Sequence, residues 1–279
     1  MTTAVPELVS PLPAPAGGSI GPLATLARRR FSLSARTPRE LIVPLMTPVM
    51  FALLIAPALK EALHTSSYYE AFVATGTIGL LIPLNTMFAG IGVMVDRESG
   101  AQRELLAAPV PRWLMVIANL GVAYAITALQ IGVLLAVAYV RGISFDVSAT
   151  GVLWFAAATS LFTVGMYGAA ETLAARVPRT EEYVGRVPAI AIVPWFLAGS
   201  LFPITALPVG LTWLARFLPL THALALVRYG LLSDPSGLHA IWRMHSTTAM
   251  AALSLGVVGV FGALLLAVGM RTFTRRAVS

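Results

Sequence analysis

The chain has 279 residues, of which 57% are hydrophobic and 11% charged, with a formal net charge of +7. Soluble domains carry roughly 25% charged residues, so this chain has too little polar side chain to coat a water-soluble fold, and lipid is the expected solvent. The basic excess lies between apolar blocks and reads as a topology signal rather than a nucleic-acid footprint, and the lack of cysteine removes disulfide scaffolds, thiolate metal sites and Cys nucleophiles.

Residues 1–19 are rich in Pro, Ala, Gly and Ser and lack the basic start and apolar core of a signal peptide. They are expected to form a disordered cytoplasmic tail. From 20 to 37 the pattern turns helical. Ile20, Leu23, Ala24, Ala27 and Phe31 share one face, and Thr25, Arg28, Arg29, Ser32 and Arg36 the other. This predicts an amphipathic helix in the membrane interface, its basic face toward anionic lipid.

Six charge-poor stretches follow, at 41–59, 72–95, 113–140, 151–175, 187–202 and 247–270. A spanning helix needs about 20 mostly apolar residues, so six transmembrane helices are predicted, with residues 271–279 as a cytoplasmic tail. Pro44, Pro48 and Pro57 interrupt the first, which is tolerable where neighbours re-satisfy the freed backbone groups. Glu171 is the one ionisable group inside a span, near its end, and reads as reaching the interface or pairing with Arg176. Gly256, Gly259 and Gly262 on the sixth read as sites of close helix packing.

The basic residues set the orientation. Placing both termini in the cytoplasm puts Arg28, Arg29, Arg30, Arg36, Arg39, Arg97, Arg103, Arg112 and the later arginines of 176–186 and 271–276 inside, leaving only Lys60, Arg141, Arg216, Arg228 and Arg243 outside. Two segments then stand apart. Residues 96–109, DRESGAQRELLAAP, form the densest charge cluster and fall on the cytoplasmic side. Residues 199–228 are apolar but cut by Pro203, Pro208, Gly210 and Pro219, which forbids one straight span. An external re-entrant pair of short helices, within 203–230 and between spans five and six, is predicted instead.

The missing motifs narrow the energy source. A phosphate-cradling P-loop needs a Lys after its glycines, and the one lysine, Lys60, sits at the predicted outer end of the first span. No H-E-x-x-H or G-x-S-x-G occurs, the four histidines fall outside, and neither a metal site nor catalytic residues are expected. Ion-coupled carriers bind their ions on intramembrane ionisable groups, of which Glu171 is the single example. Energy is therefore expected from a partner. Residues 96–109 offer a handle: a short helix from Glu98 to Leu106, ended by Pro109, with Leu105 and Leu106 as an apolar knob and Arg97, Arg103 and Glu104 as a charged rim. A solvated loop carrying topogenic arginines is the alternative reading of the same residues.

The segment DRESGAQRELLAAPVPR at 96–112 resembles the cytoplasmic coupling segment of type-2 ABC-transporter permeases, R-E-x-G-T-x-E-x-L-x-x-x-P-x-x-R. Arg97, Glu98, Gly100, Glu104, Leu106, Pro109 and Arg112 take the matching places, with Ala101 where Thr is common. Residues 194–228 resemble the second signature of that family, with Pro203, Leu207, Pro208, Pro219, Leu220, Thr221 and Arg228 matching and Ala198 replacing Ser. The flavour is that of the daunorubicin-resistance and nodulation-type exporter branch.

The resemblance implies an all-α polytopic membrane fold and a role as the non-catalytic permease subunit of an ATP-driven exporter in a bacterial plasma membrane. The cargo would be an amphipathic or hydrophobic compound, such as a drug, an antibiotic or a lipid-linked molecule. Two ABC ATPase subunits would carry the ATP and Mg, so that this chain binds no cofactor, and a second permease subunit would complete a homodimer or heterodimer. The ATPase would be engaged through Asp96, Arg97, Glu98, Gly100, Arg103, Glu104, Leu105, Leu106 and Pro109. Asn85, Met87 and Phe88 on helix two and Trp195 and Phe196 on helix five become substrate-path candidates, and Phe202, Pro203, Pro208, Pro219 and Arg228 the external gate. An ion-coupled multidrug exporter acting without an ATPase is the competing function.

Overall fold

The computed structural model describes residues 20–36, 42–43, 45–46, 49–64 and 66–276. The described chain is helical, with no strand among those residues. In order, the helices are α1 (Ile20–Arg36), α2 (Ala56–Ala62), α3 (Ser67–Glu98), α4 (Ala101–Ala107), α5 (Arg112–Val140), α6 (Ala149–Arg176), α7 (Thr180–Leu197), α8 (Val209–Phe217), α9 (Pro219–Leu232), α10 (Ser236–Trp242) and α11 (Thr247–Arg276). The predicted tail 1–19, parts of the predicted first span 41–59 and residues 277–279 lie outside the described residues.

Four helices are long and apolar enough to cross a membrane: α3, α5, α6 and α11. The α3 helix has 32 residues, about 48 Å at 1.5 Å per residue, well beyond the roughly 30 Å of a bilayer's hydrocarbon core. A fifth apolar unit is the pair α8–α9, bent by 80° at Leu218. Pro219 opens α9, where its missing N–H costs nothing. Of the predicted first span, Phe51–Ile55 forms a π-helical turn that runs into α2 just before Pro57, a place where a widened turn absorbs the lost backbone bond. The α7 helix starts earlier than its apolar stretch, taking in Glu181, Glu182 and Arg186, and ends at Leu197. Gly199, at φ +81°, then turns the chain into the 3₁₀ turn Ile204–Ala206.

The helices are arranged around α3. Within its most apolar 18 residues 78% are buried, against 22% for α11, so α3 is the central post and α11 a peripheral one. Helices α5, α6, α7 and α9 all pack on it. Lipid tails are as apolar as Leu, so helix association rests on close contact and polar bonds rather than on expulsion of water. Small residues provide that contact where α6 meets α11. A side chain at Gly168 would run into the backbone of Leu265 and Leu266, and one at Gly262 into the carbonyl of Leu161. Gly256, by contrast, has open space beside it.

Candidate functional site

The two ends of α3 are polar in different ways. At the C-terminal end, Asp96, Arg97 and Glu98 occupy its last turn. Gly100, at φ +82°, sits in the left-handed region that favours glycine, and so breaks the chain sharply between α3 and α4. The predicted helix from Glu98 to Leu106 is therefore two pieces: Glu98 closes α3, and α4 begins only at Ala101.

Each of the three charged residues holds a different helix. The Asp96 carboxylate accepts from both Arg29 terminal nitrogens, at 3.0 and 3.3 Å, and fastens α1. Arg97 donates to the carbonyls of Ala174 (2.7 Å), Val177 (2.6 Å) and Pro178 (3.0 Å). These oxygens lie at the C-terminal end of α6, where unpaired carbonyls and the helix dipole favour a cation. Glu98 Oε1 accepts from the Thr180 N–H (3.0 Å) and hydroxyl (2.8 Å). It thereby caps the N-terminus of α7, where an anion is favoured. Asp96–Glu98 is thus a three-way clamp on α1, α6 and α7.

The α1 faces differ from the predicted ones. Arg29 is turned to Asp96, and Arg30 is buried, its Nη2 donating to the Ala89 carbonyl at 2.9 Å and its guanidinium filling the space over Gly92. Ile20 and Phe31, expected on one apolar face with Leu23 and Ala27, are exposed. Charge-assisted hydrogen bonds, Arg29 to a carboxylate and Arg30 to a backbone carbonyl, are stronger than neutral ones, and they turn the basic side partly inward while α1 packs along α5.

The α4 helix also differs from the expected knob. Leu105 and Leu106 are half-buried, packed against a cluster of Met115, Val116, Ala123, Tyr167 and Phe273. What α4 leaves on the surface is Arg103, Glu104 and Ala107, followed by Ala108 and Pro109. Arg112 reaches the Thr274 carbonyl near the end of α11 at 3.4 Å. Glu171 neither reaches the surface nor pairs with Arg176. It is buried and accepts from the Tyr167 hydroxyl at 2.9 Å, one helical turn away.

The substrate-path candidates fall into two groups. Asn85 donates to the Thr127 hydroxyl on α5, and it and Phe88 line a small cleft beside Arg30. Met87 is sealed beneath Tyr183, whose hydroxyl donates to the Met87 carbonyl at 2.8 Å. Trp195 is fully buried, its indole N–H donating to the Gly76 carbonyl at 2.8 Å, while its neighbour Phe196 is exposed. Along α7 only Tyr183, Val187, Ala191 and Trp195 are buried, a single stripe at four-residue spacing. The structure therefore brings Asn85 together with Phe88 and separates Met87 and Trp195 from any open surface.

At the opposite end, Phe202, Pro203 and Pro208 are exposed on the turn before α8, whose own apolar side chains Val209, Trp213 and Phe217 are exposed as well. Beneath them α9 is almost wholly buried and carries Arg228. Its Nη2 donates to the carbonyls of Ser200 (3.1 Å) and Phe72 (3.3 Å), and the guanidinium stacks 3.4 Å from the Phe72 ring centre. Tyr68 donates to Asp234 nearby. Sequence reasoning did not single out Arg30, Tyr167, Tyr183 or Asp234. The four-residue spacing of Tyr167 and Glu171 was a readable signal; the others are joined only by the fold.

An all-α bundle with several lipid-length helices, a charged clamp at one end and a broken, apolar helix pair at the other defines a polytopic membrane protein. Residues 22–232 match the model of the ABC-2 type transporter family, and the chain belongs to that family; it is a membrane component of a transporter. It is also similar to a Porphyra purpurea protein named as a transport permease, ycf38, at 25% identity over 211 residues, which covers 73% of this chain and 72% of that protein. Membership implies an ABC ATPase partner in general terms.

Proposed function

We propose that the chain is the permease subunit of an ATP-driven exporter, coupled to a separate ATPase through residues 96–112. One observation carries this reading: three consecutive charged residues fasten the middle of α1, the end of α6 and the start of α7, while Arg103 and Glu104 stand exposed on the adjoining α4. A soluble partner gripping α4 would move three helices at once, because Gly100 and the clamp link α4 to them. This end is then cytoplasmic, with both termini, in a bacterial plasma membrane crossed six times. The chain itself hydrolyses nothing, and ATP and Mg reside on two ATPase copies.

The broad exposed sides of α7 and α8 suit a second permease subunit, in a homodimer or heterodimer, and the path would run between the two copies. The cargo in this reading is an amphipathic or hydrophobic compound, a drug or a lipid-linked molecule, moved outward past Phe196 and the turn at 202–208.

The test uses Arg103→Glu and Glu104→Lys in the full chain co-expressed with its ATPase. Both side chains are exposed, and neither forms one of the ion pairs seen among the described residues, so insertion and thermal stability should stay unchanged. Cargo-stimulated ATPase activity and transport should fall at least tenfold. Normal transport by both variants would overturn the coupling role. The buried Glu171–Tyr167 pair keeps an ion-coupled exporter as the second reading. That reading requires transport by the chain alone under a proton gradient, abolished by Glu171→Gln.

A further inference from the structure

Arg228 is one of three buried charged side chains among the described residues, with Arg30 and Glu171. It is 5% exposed, yet the three ion pairs among the described residues all lie elsewhere. Both of its hydrogen bonds leave from Nη2 and end on neutral carbonyls, and Nε has no partner. The Asp234 carboxylate acts on it electrostatically, but Asp234 is hydrogen-bonded by Tyr68 and, at 2.8 Å each, by the Ser236 N–H and hydroxyl. Moving a cation out of water costs several kcal/mol unless an opposite charge and hydrogen bonds compensate. Two carbonyls and one aromatic face offset only part of that.

Arg228 lines a cavity of about 350 Å³ between α3, α9, α10 and the turn after α7. Its wall includes Phe72, Pro203, Ile204 and Ala240, and Thr221, whose buried hydroxyl also lacks a partner. This volume lies within the range of small-molecule sites, which are mostly apolar with a few fixed polar groups. A second cavity of about 290 Å³, lined by Pro83, Phe162, Ile190, Pro194 and Phe261, contains no charged side chain. Of these two cavities, only the first has a built-in preference for an anion. The planar guanidinium fork matches the paired oxygens of a carboxylate or phosphate.

We propose that this cavity binds an oxyanion, phosphate- or carboxylate-type, borne by a ligand with an apolar body, with Arg228 as the selecting charge and Thr221 as a second donor. The group could arrive on a membrane lipid headgroup or on a soluble molecule. Binding there needs neither ATP nor the ATPase, so its failure and the failure of the transport reading are separable.

The full chain in an uncharged detergent is titrated with dihexanoyl phosphatidylglycerol, with dihexanoylglycerol and with inorganic phosphate, and binding is followed by calorimetry and by the shift in Tm. Saturable binding of the phosphatidylglycerol, at least tenfold tighter than of dihexanoylglycerol, is expected. Arg228→Gln should abolish the difference. Thr205→Trp should do the same by filling the mouth of the cavity from an exposed position, without touching the buried arginine, which keeps the test valid if Arg228→Gln does not fold. Competition by inorganic phosphate would point to a soluble source, and its absence to a lipid headgroup; either supports the site. Equal binding of the two lipids, or binding unaffected by Thr205→Trp, would overturn it.

Discussion

Arg97 and Arg228 are two inward-turned arginines at opposite ends of the bundle, and their surroundings differ. Arg97 meets three carbonyls at the end of α6, at 2.6–3.0 Å, beside two carboxylates that are themselves bound. Arg228 meets two carbonyls at 3.1 and 3.3 Å and leaves Nε unpartnered. The first arrangement is a joint: every strong donor and acceptor near it ties two helices together. The second retains capacity for a ligand. A satisfied charge rigidifies, whereas an unsatisfied buried one is costly and persists where a site needs it.

Stability measurements on matched variants test this contrast most directly. Arg97→Met should lose about 2–3 kcal/mol, because charge-assisted bonds contribute about 1.5–3 kcal/mol and the α6 carbonyls would be stranded. Arg228→Met should stay within about 1 kcal/mol of the parent, since an apolar side chain of similar size removes a buried unpaired charge. Chemical denaturation in mixed micelles would read both. Equal losses at the two positions would erase the distinction between joint and site.

The capping contact should matter less. Thr180→Val removes the hydroxyl to Glu98 Oε1 but keeps the N–H bond, and Glu98→Ala removes both. Losses of up to about 1 kcal/mol for Thr180→Val and about 1 kcal/mol for Glu98→Ala are expected from cap replacements, read in the same unfolding assay. An effect of Glu98→Ala on transport far beyond its effect on stability would place Glu98 in the partner contact as well as in the clamp. For that reason Glu104 and Arg103, not Glu98, are the clean probes of docking.

The smallest expected effect is at α1. Arg29→Ala and Asp96→Ala, combined in a double-mutant cycle, should give a coupling of about 0.2–1 kcal/mol, as for other partly exposed pairs. A coupling above about 2 kcal/mol would make α1 part of the rigid frame rather than an element hinged to it.

The limits of sequence reading show at particular residues. The apolar stretch 113–140 and helix α5 (Arg112–Val140) end together, because hydropathy reports directly how much chain a bilayer can hold. The stretch 187–202 and helix α7 (Thr180–Leu197) do not. Helix α7 begins in a charged segment whose first turn is capped by Glu98, more than 80 residues earlier, a bond no local pattern reveals. Leu105 and Leu106 read in the sequence as an outward apolar knob; the fold half-buries them against Met115, Tyr167 and Phe273, residues distant in the chain. Its position near a helix end makes Glu171 read as reaching the interface or pairing with Arg176, yet it is buried and bonded to Tyr167.

The sequence by itself determined the solvent and the helical class. With 57% hydrophobic and 11% charged residues, the chain calls for lipid as its solvent, where backbone groups must be paired within helices or a closed barrel, and its long uninterrupted apolar stretches select helices. It also carried the two motifs that place the chain in its family. What each charge does was decided only in three dimensions. Asp96, Arg97 and Glu98 are adjacent in the chain, but their partners lie on α1, at the end of α6 and at the start of α7. Arg228 finds its partners on α3 and on the turn after α7. A charge in a membrane protein has few places to go, and packing, not local sequence, determines which of them is within hydrogen-bonding reach.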